Sequence, residues 1–200
     1  PWTATDRLRA VAAAAAPVGL LAHAGHAYRT PRSALPALFA ETAQRLAAAR
    51  DAIGSPLRLS VGDTPTCTSV DRFGGVDEVR PGNFVFFDFM QLAAGTCHPG
   101  QVALAVACPV LEVDRARSHL VLHGGAVHLG KEAVATPHGT AWGCLATARP
   151  GAFDQVLADV AVEALTQEHA VIAVPPGRWD EVADGLRPGD RALVVPSHSC

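Results

Sequence analysis

Lysine is almost missing from this chain: of 200 residues Lys131 alone carries a side-chain amine, and the remaining basic side chains are arginines. Any chemistry that needs a reactive lysine is thereby confined to one position. Cysteine is sparse too, with Cys67, Cys97, Cys108, Cys144 and Cys200 odd in number, far apart and without a CxxC pair. That spacing excludes a disulfide scaffold and suits a reducing cytoplasm. No basic run occurs, and a net charge of -3 with a pI near 6.3 argues against nucleic acid as a partner. No apolar stretch is long enough to cross a membrane, and no HExxH or similar compact zinc motif, internal repeat or low-complexity linker is present.

What remains is 49% hydrophobic, enough to bury a core in one domain or two compact units. Arg7-Leu8-Arg9 followed by the apolar run to Ala22 imitates a secretory leader, but Pro17 breaks the run. A capped alanine-rich helix from Thr5-Asp6 to Ala16 and a short strand Val18–Ala22 account for the same residues. The chain opens on Pro1 rather than Met, so further residues are expected upstream. A helix over 36–53, closed by Gly54, and a strand Leu57–Val61 continue the alternation, which is most economically a piece of a parallel α/β barrel. After Gly62 strands are expected at 76–79, 84–89, 102–113, 119–127, 160–165, 170–174 and 192–195, punctuated by Gly-Gly, Pro-Gly and Pro-Pro-Gly. The fold class expected is α/β plus β: the C-terminal part of a (β/α)8 barrel over residues 1–98, then a mostly antiparallel β domain over 99–200.

Polar clusters follow the expected strands. His23-Ala24-Gly25-His26-Ala27-Tyr28 sits where parallel α/β folds place their active sites, and offers acid, base and ring-contact groups. Gly62-Asp63-Thr64-Pro65-Thr66 and Arg80-Pro81-Gly82-Asn83 read either as capped turns or as backbone presented to a phosphate. His123-Gly124-Gly125-Ala126-Val127-His128 is read as structural or subunit-facing. Gln167-Glu168-His169 could orient a ligand from behind. At the chain end, His198 and Cys200 follow the strand 191–195. If the strand runs on, its period of two points both to one face, where they form either a buried pair or two ligands of a zinc site with open positions.

Taken in order, these segments resemble one family: the D-serine dehydratase / D-threonine aldolase group, fold-type III pyridoxal-phosphate enzymes related to alanine racemase. The resemblance spans nearly the whole chain. It implies a barrel holding pyridoxal 5'-phosphate and a β domain holding a metal. Tyr28 and Thr64 would then contact the cofactor, Gly82 and Asn83 its phosphate, and His198 and Cys200 a Zn2+ ion. His-x-Cys rather than His-x-Asp favours a dehydratase, because thiolate selects the softer metal.

The implied reaction is β-elimination of a 3-hydroxy D-amino acid, such as D-serine, D-threonine or 3-hydroxy-D-aspartate, to a 2-oxo acid and ammonia. Its partners would be a small-molecule D-amino acid and a second copy in a homodimer, with no nucleic acid and no membrane. The family's imine lysine would lie upstream of Pro1, since Lys131 matches the β domain, so the 200 residues alone are expected to be inactive. The alternatives are retro-aldol cleavage of the D-threonine aldolase type, a non-catalytic metal-binding remnant, or a zinc hydrolase using His198, Cys200 and His169.

Overall fold

The computed structural model describes residues 5–150 and 152–199. Packing divides the chain into residues 1–84 and 85–200. No helix among the described residues is long and apolar enough to cross a membrane.

The first unit begins with α1 (Thr5–Ala15), whose first turn carries Asp6 where a negative charge meets the positive end of the helix dipole. β1 (Gly19–His23) follows, then two 3-10 turns, Gly25–Arg29 and Arg32–Ala34. α2 (Leu35–Ile53) has Pro36 in its first turn and ends at Gly54 in the left-handed conformation. Leu35, Phe39, Ala43 and Leu46 recur at helical spacing on its buried face. β2 (Arg58–Gly62), the short α3 (Thr64–Cys67) and β3 (Glu78–Arg80) complete the unit.

The three strands form one parallel sheet in the order β1-β2-β3. Phe39 and Leu46 of α2 cover Leu59, Val61 and Cys67 on one side of it. This is the barrel-segment arrangement expected from the alternating pattern. Register decides the rest: His23 lies opposite Gly62, and Gly62 opposite Arg80, so all three strands end in one row. The chain that leaves each strand therefore emerges along the same edge.

The second unit is a closed antiparallel barrel in the order β10-β5-β4-β11-β8-β9. Its strands are β4 (Val106–Asp114), β5 (His119–His123), β8 (Gly143–Arg149), β9 (Ala152–Leu165), β10 (His169–Ala173) and β11 (Arg191–Pro196). A small hairpin, β6 (Val134–Thr136) with β7 (Gly139–Ala141), and the short helices α4 (Phe89–Ala93), α5 (Ala126–Leu129) and α6 (Trp179–Val182) decorate it. Leu120, Leu122, Val160, Val162, Ile172 and Val194 are fully buried inside. Each large aliphatic side chain withdrawn from water in this way contributes about 1.5–3 kcal/mol.

Two expected strands are different objects. Residues 84–89 do not extend: Phe84, Val85 and Phe86 form an exposed turn, Phe87 has φ 50°, and Asp88 caps α4. A capping carboxylate that satisfies a helix N–H outweighs the strand preference of the aromatic residues before it. β5 stops at His123, because Gly124 N–H donates to Glu168 O and the chain then turns into α5.

Candidate active site

Along the strand-end edge of the first unit, three loops carry the side chains singled out in the sequence. Tyr28 is half-buried in the 3-10 turn after β1, with its ring 6.1 Å from that of His23. Thr64, fully buried, opens α3, and its Oγ1 accepts the backbone N–H of Asn83 at 3.2 Å. The turn Gly25–Arg29 packs against α3 as well. Tyr28, Thr64 and Asn83 thus occupy adjoining loops, with Gly82 exposed beside the buried Asn83.

Two residues of these loops to which the sequence assigned no role of their own, Arg80 and Asp63, shape this edge. Arg80 reaches back across the row of strand ends, donating from Nε to Ser60 Oγ at 2.7 Å and from Nη2 to Ala22 O at 3.1 Å. Asp63 is the N-cap of α3 and accepts the Thr66 N–H at 2.7 Å. Its backbone is in a region that favours glycine, φ 132° and ψ 138°. Burial raises the Asp63 carboxyl above the ordinary range, against the opposing pull of its hydrogen bonds and of His23. Asp63 Oδ2 and Thr66 Oγ1 are buried without a hydrogen-bond partner. Buried hydroxyls and backbone amides fit the phosphate of a cofactor, and no lysine stands in this unit.

A cavity of about 260 Å³ lies beside this edge, between His23, His26 and the Thr42, Arg45 and Leu46 face of α2. A second, of about 470 Å³, opens at the other end of the strands, among Arg50, Asp51, Leu57, Arg58 and Asp77. Tyr28, Thr64 and Asn83 line neither.

In the second unit His198 follows β11 directly. The strand ends at Pro196, so the two-residue alternation does not carry on to His198. Cys200 lies outside the described residues. What fixes His198 instead is Asp88, whose side chain is fully buried. Asp88 Oδ2 lies 3.3 Å from His198 Nδ1 and accepts the Ser199 N–H at 2.9 Å, while Oδ1 accepts the Gln91 N–H at 2.9 Å. The Met90 N–H also donates to Ser197 O at 3.1 Å. The Asp88 carboxylate at ion-pair distance raises the pKa of His198; burial opposes it, and the charge of Glu132 reinforces it. No group of three or more histidine, cysteine, aspartate or glutamate side chains able to hold a metal occurs among the described residues. An imidazole gripped at one nitrogen by a carboxylate nevertheless has the chemistry of an oriented metal ligand, and a cysteine two positions on would supply a soft second donor.

The remaining histidines gather elsewhere in this unit. His169 lies opposite His123 in the β10–β5 ladder, and the ring of His123 lies 5.3 Å from that of His128 and 6.3 Å from that of His169. The turn 166–168 clasps the glycine pair: a Cβ on Gly125 would come within 2.5 Å of the Gln167 backbone, so only glycine fits there. All three imidazoles are exposed. Lys131 is exposed in the loop after α5.

Residues 103–200 match the model of the putative serine dehydratase domain. Over 196 residues the chain is 29% identical to the D-threo-3-hydroxyaspartate dehydratase of Delftia sp. (strain HT23), covering 91% of this chain and 49% of that one. It is 26% identical over 212 residues to the D-serine dehydratase of Saccharomyces cerevisiae, covering 92% of this chain and 47% of the relative. The chain thus spans about half the length of these two relatives. The solved Delftia enzyme superposes with a TM-score of 0.73, covering 91% of this chain and 49% of that one. An alanine racemase-like protein from Idiomarina loihiensis superposes at 0.80 with 23% identity, covering 98% and 53%. Two further structures of a D-threo-3-hydroxyaspartate dehydratase carry a histidine-to-alanine substitution and, two positions later, a cysteine-to-alanine substitution, the latter in a metal-free form.

Proposed function

From the premise that the chain is a relative of the D-serine dehydratase / D-threonine aldolase family, with an alanine racemase-like fold, we propose that it serves pyridoxal-phosphate- and zinc-dependent β-elimination of a 3-hydroxy D-amino acid. The observation that carries this reading is His198 held by the buried Asp88, two positions before Cys200. A histidine and a cysteine at that spacing are the residues substituted in two structures of a D-threo-3-hydroxyaspartate dehydratase, the cysteine variant being solved in a metal-free form.

Pyridoxal phosphate supplies an electron sink that acidifies the substrate's α-carbon. Zn2+ supplies a Lewis acid for the β-hydroxyl that leaves. The chain's own residues bind and orient. Thr64, Gly82 and Asn83 would hold the phosphate, and Tyr28 would contact the ring. The His23 imidazole, beside Tyr28 at the strand edge, suits proton transfer at a ring nitrogen. His198 and Cys200 would hold the metal. The amine that links the cofactor is assigned to none of the 200 residues, because the one lysine is exposed in the β unit. The outward face of His123, Val127 and His128 is read as subunit-facing in a homodimer, and the buried thiols of Cys67, Cys108 and Cys144 suit a reducing cytoplasm.

The test is product analysis of the whole protein with D-serine, D-threo-3-hydroxyaspartate and D-threonine, with cofactor and zinc supplied. Ammonia and a 2-oxo acid in equal amounts are expected. Glycine and an aldehyde from D-threonine would instead establish the aldolase outcome.

A further inference from the structure

Asp88 is the one ionisable side chain in the described chain that is fully buried and yet gathers three partners from two distant segments. Its Oδ1 caps α4 through the Gln91 N–H, and its Oδ2 takes both the Ser199 N–H and the edge of the His198 ring. Leaving a carboxylate in a dry site costs several kcal/mol unless hydrogen bonds and a cationic or polar partner offset it. A helix cap alone does not require this: serine or asparagine would cap α4 without a buried charge. The second oxygen, directed at the segment 197–199, is the part that capping leaves unexplained.

Oδ2 lies 3.3 Å from Nδ1 rather than from Nε2 of His198. A carboxylate in that position favours the tautomer with the proton on Nδ1 and raises the basicity of the opposite nitrogen. The Ser199 N–H holds the same oxygen from the neighbouring peptide. The Met90 N–H to Ser197 O bond clamps the other side of the histidine, so the residue is fixed before and after in the chain.

We propose that Asp88 is a positioning residue for metal binding: it holds His198 by Nδ1 and directs Nε2 to the metal. This rests on the reading of His198 and Cys200 as metal ligands. Through this contact the turn from Asp88 into α4 becomes part of the metal site, although it lies 110 residues before His198 in the chain. Asp88 touches neither substrate nor cofactor in this account and acts through the imidazole.

The experiment measures Zn2+ affinity of the whole protein by competition with a chromophoric chelator, for the parent, Asp88→Asn, Asp88→Ala, His198→Ala and Cys200→Ala. Asparagine can keep the α4 cap through its amide oxygen but cannot also accept from Ser199 and His198 as the carboxylate does. Asp88→Asn is expected to weaken zinc binding by roughly 10–100-fold while leaving the melting curve of the metal-free protein close to the parent's. Nitrogen NMR of the metal-free protein should show His198 protonated mainly on Nδ1 in the parent, with that preference lost in Asp88→Asn. The proposal is overturned if both Asp88 variants bind zinc as tightly as the parent while His198→Ala does not, since the ligand is then real and the carboxylate irrelevant. Unaltered zinc binding in His198→Ala and Cys200→Ala sinks the underlying metal reading instead, and with it this one. If Asp88→Ala unfolds, the asparagine variant and the ring-nitrogen shifts still decide.

Discussion

Asp63 is held at φ 132° with its carboxyl buried, and both facts run against its residue type. The backbone conformation costs about 1–3 kcal/mol, and the cap it makes to Thr66 returns about 1 kcal/mol. Because burial raises its pKa, the folded chain holds the proton more tightly than the unfolded one. The sign follows directly: stability from this group is highest below the unfolded carboxyl range and falls as pH rises through the folded pKa. Asp63→Asn keeps an amide oxygen for the cap, leaves the backbone strain as it is and removes the ionisation. It is expected to raise stability at neutral pH and to flatten the fall in stability as pH rises above the ordinary carboxyl range, read by urea unfolding at a series of pH values. At this same scale the sequence was only partly legible. Tyr28, Thr64 and Asn83 are expected as site residues from their place in loops just after strands. Asp88 was hidden inside an aromatic run read as strand, although Asp88-Phe89-Met90-Gln91 has the spacing of a helix-capping sequence. A partner 111 residues away leaves no local signal at all.

At the level of elements, β11 delivers His198, and its course depends on β8 beside it. Gly143 pairs with Pro196 at the last rung of that ladder, with φ 141° and a position where a Cβ would approach Val195 O to 2.5 Å. Gly143→Ala is expected to destabilise the β unit by roughly 2–4 kcal/mol, combining overpacking with backbone strain. A lowered melting temperature and loosened protection of the 193–195 amides in hydrogen exchange would report it. Elements with strong periodicity or clear punctuation were readable: α1, α2 and the alternation of β1 and β2 follow the expected ranges closely. The turn Arg187–Asp190 also forms, closed by Asp190 Oδ2 on the Arg187 N–H at 2.8 Å. The strand expected from 102 starts later, at Val106, after the 3-10 turn Pro99–Gln101 held by Gln101 Oε1 on the His98 N–H. There side-chain capping, not hydrophobic content, sets the boundary.

Taken as a whole chain, composition and spacing conveyed the class: parallel α/β pieces first, antiparallel β after. They did not convey closure of the β unit, because pairing β10 with both β5 and β9 joins strands whose separation the sequence pattern does not encode. Closure leaves that sheet no open edge, which protects it from strand-to-strand association. The proposed function at this scale would rest on two separately held groups: a cofactor on loops of residues 1–84 and a metal on residues 85–200. The most direct measurement follows the two together. Whole protein loaded with pyridoxal phosphate and Zn2+ is treated with a chelator while ammonia release from a 3-hydroxy D-amino acid and the cofactor's absorbance band are recorded. The account predicts that ammonia release disappears, the band persists, and added Zn2+ restores turnover. Undiminished ammonia release from thoroughly metal-free protein would contradict it.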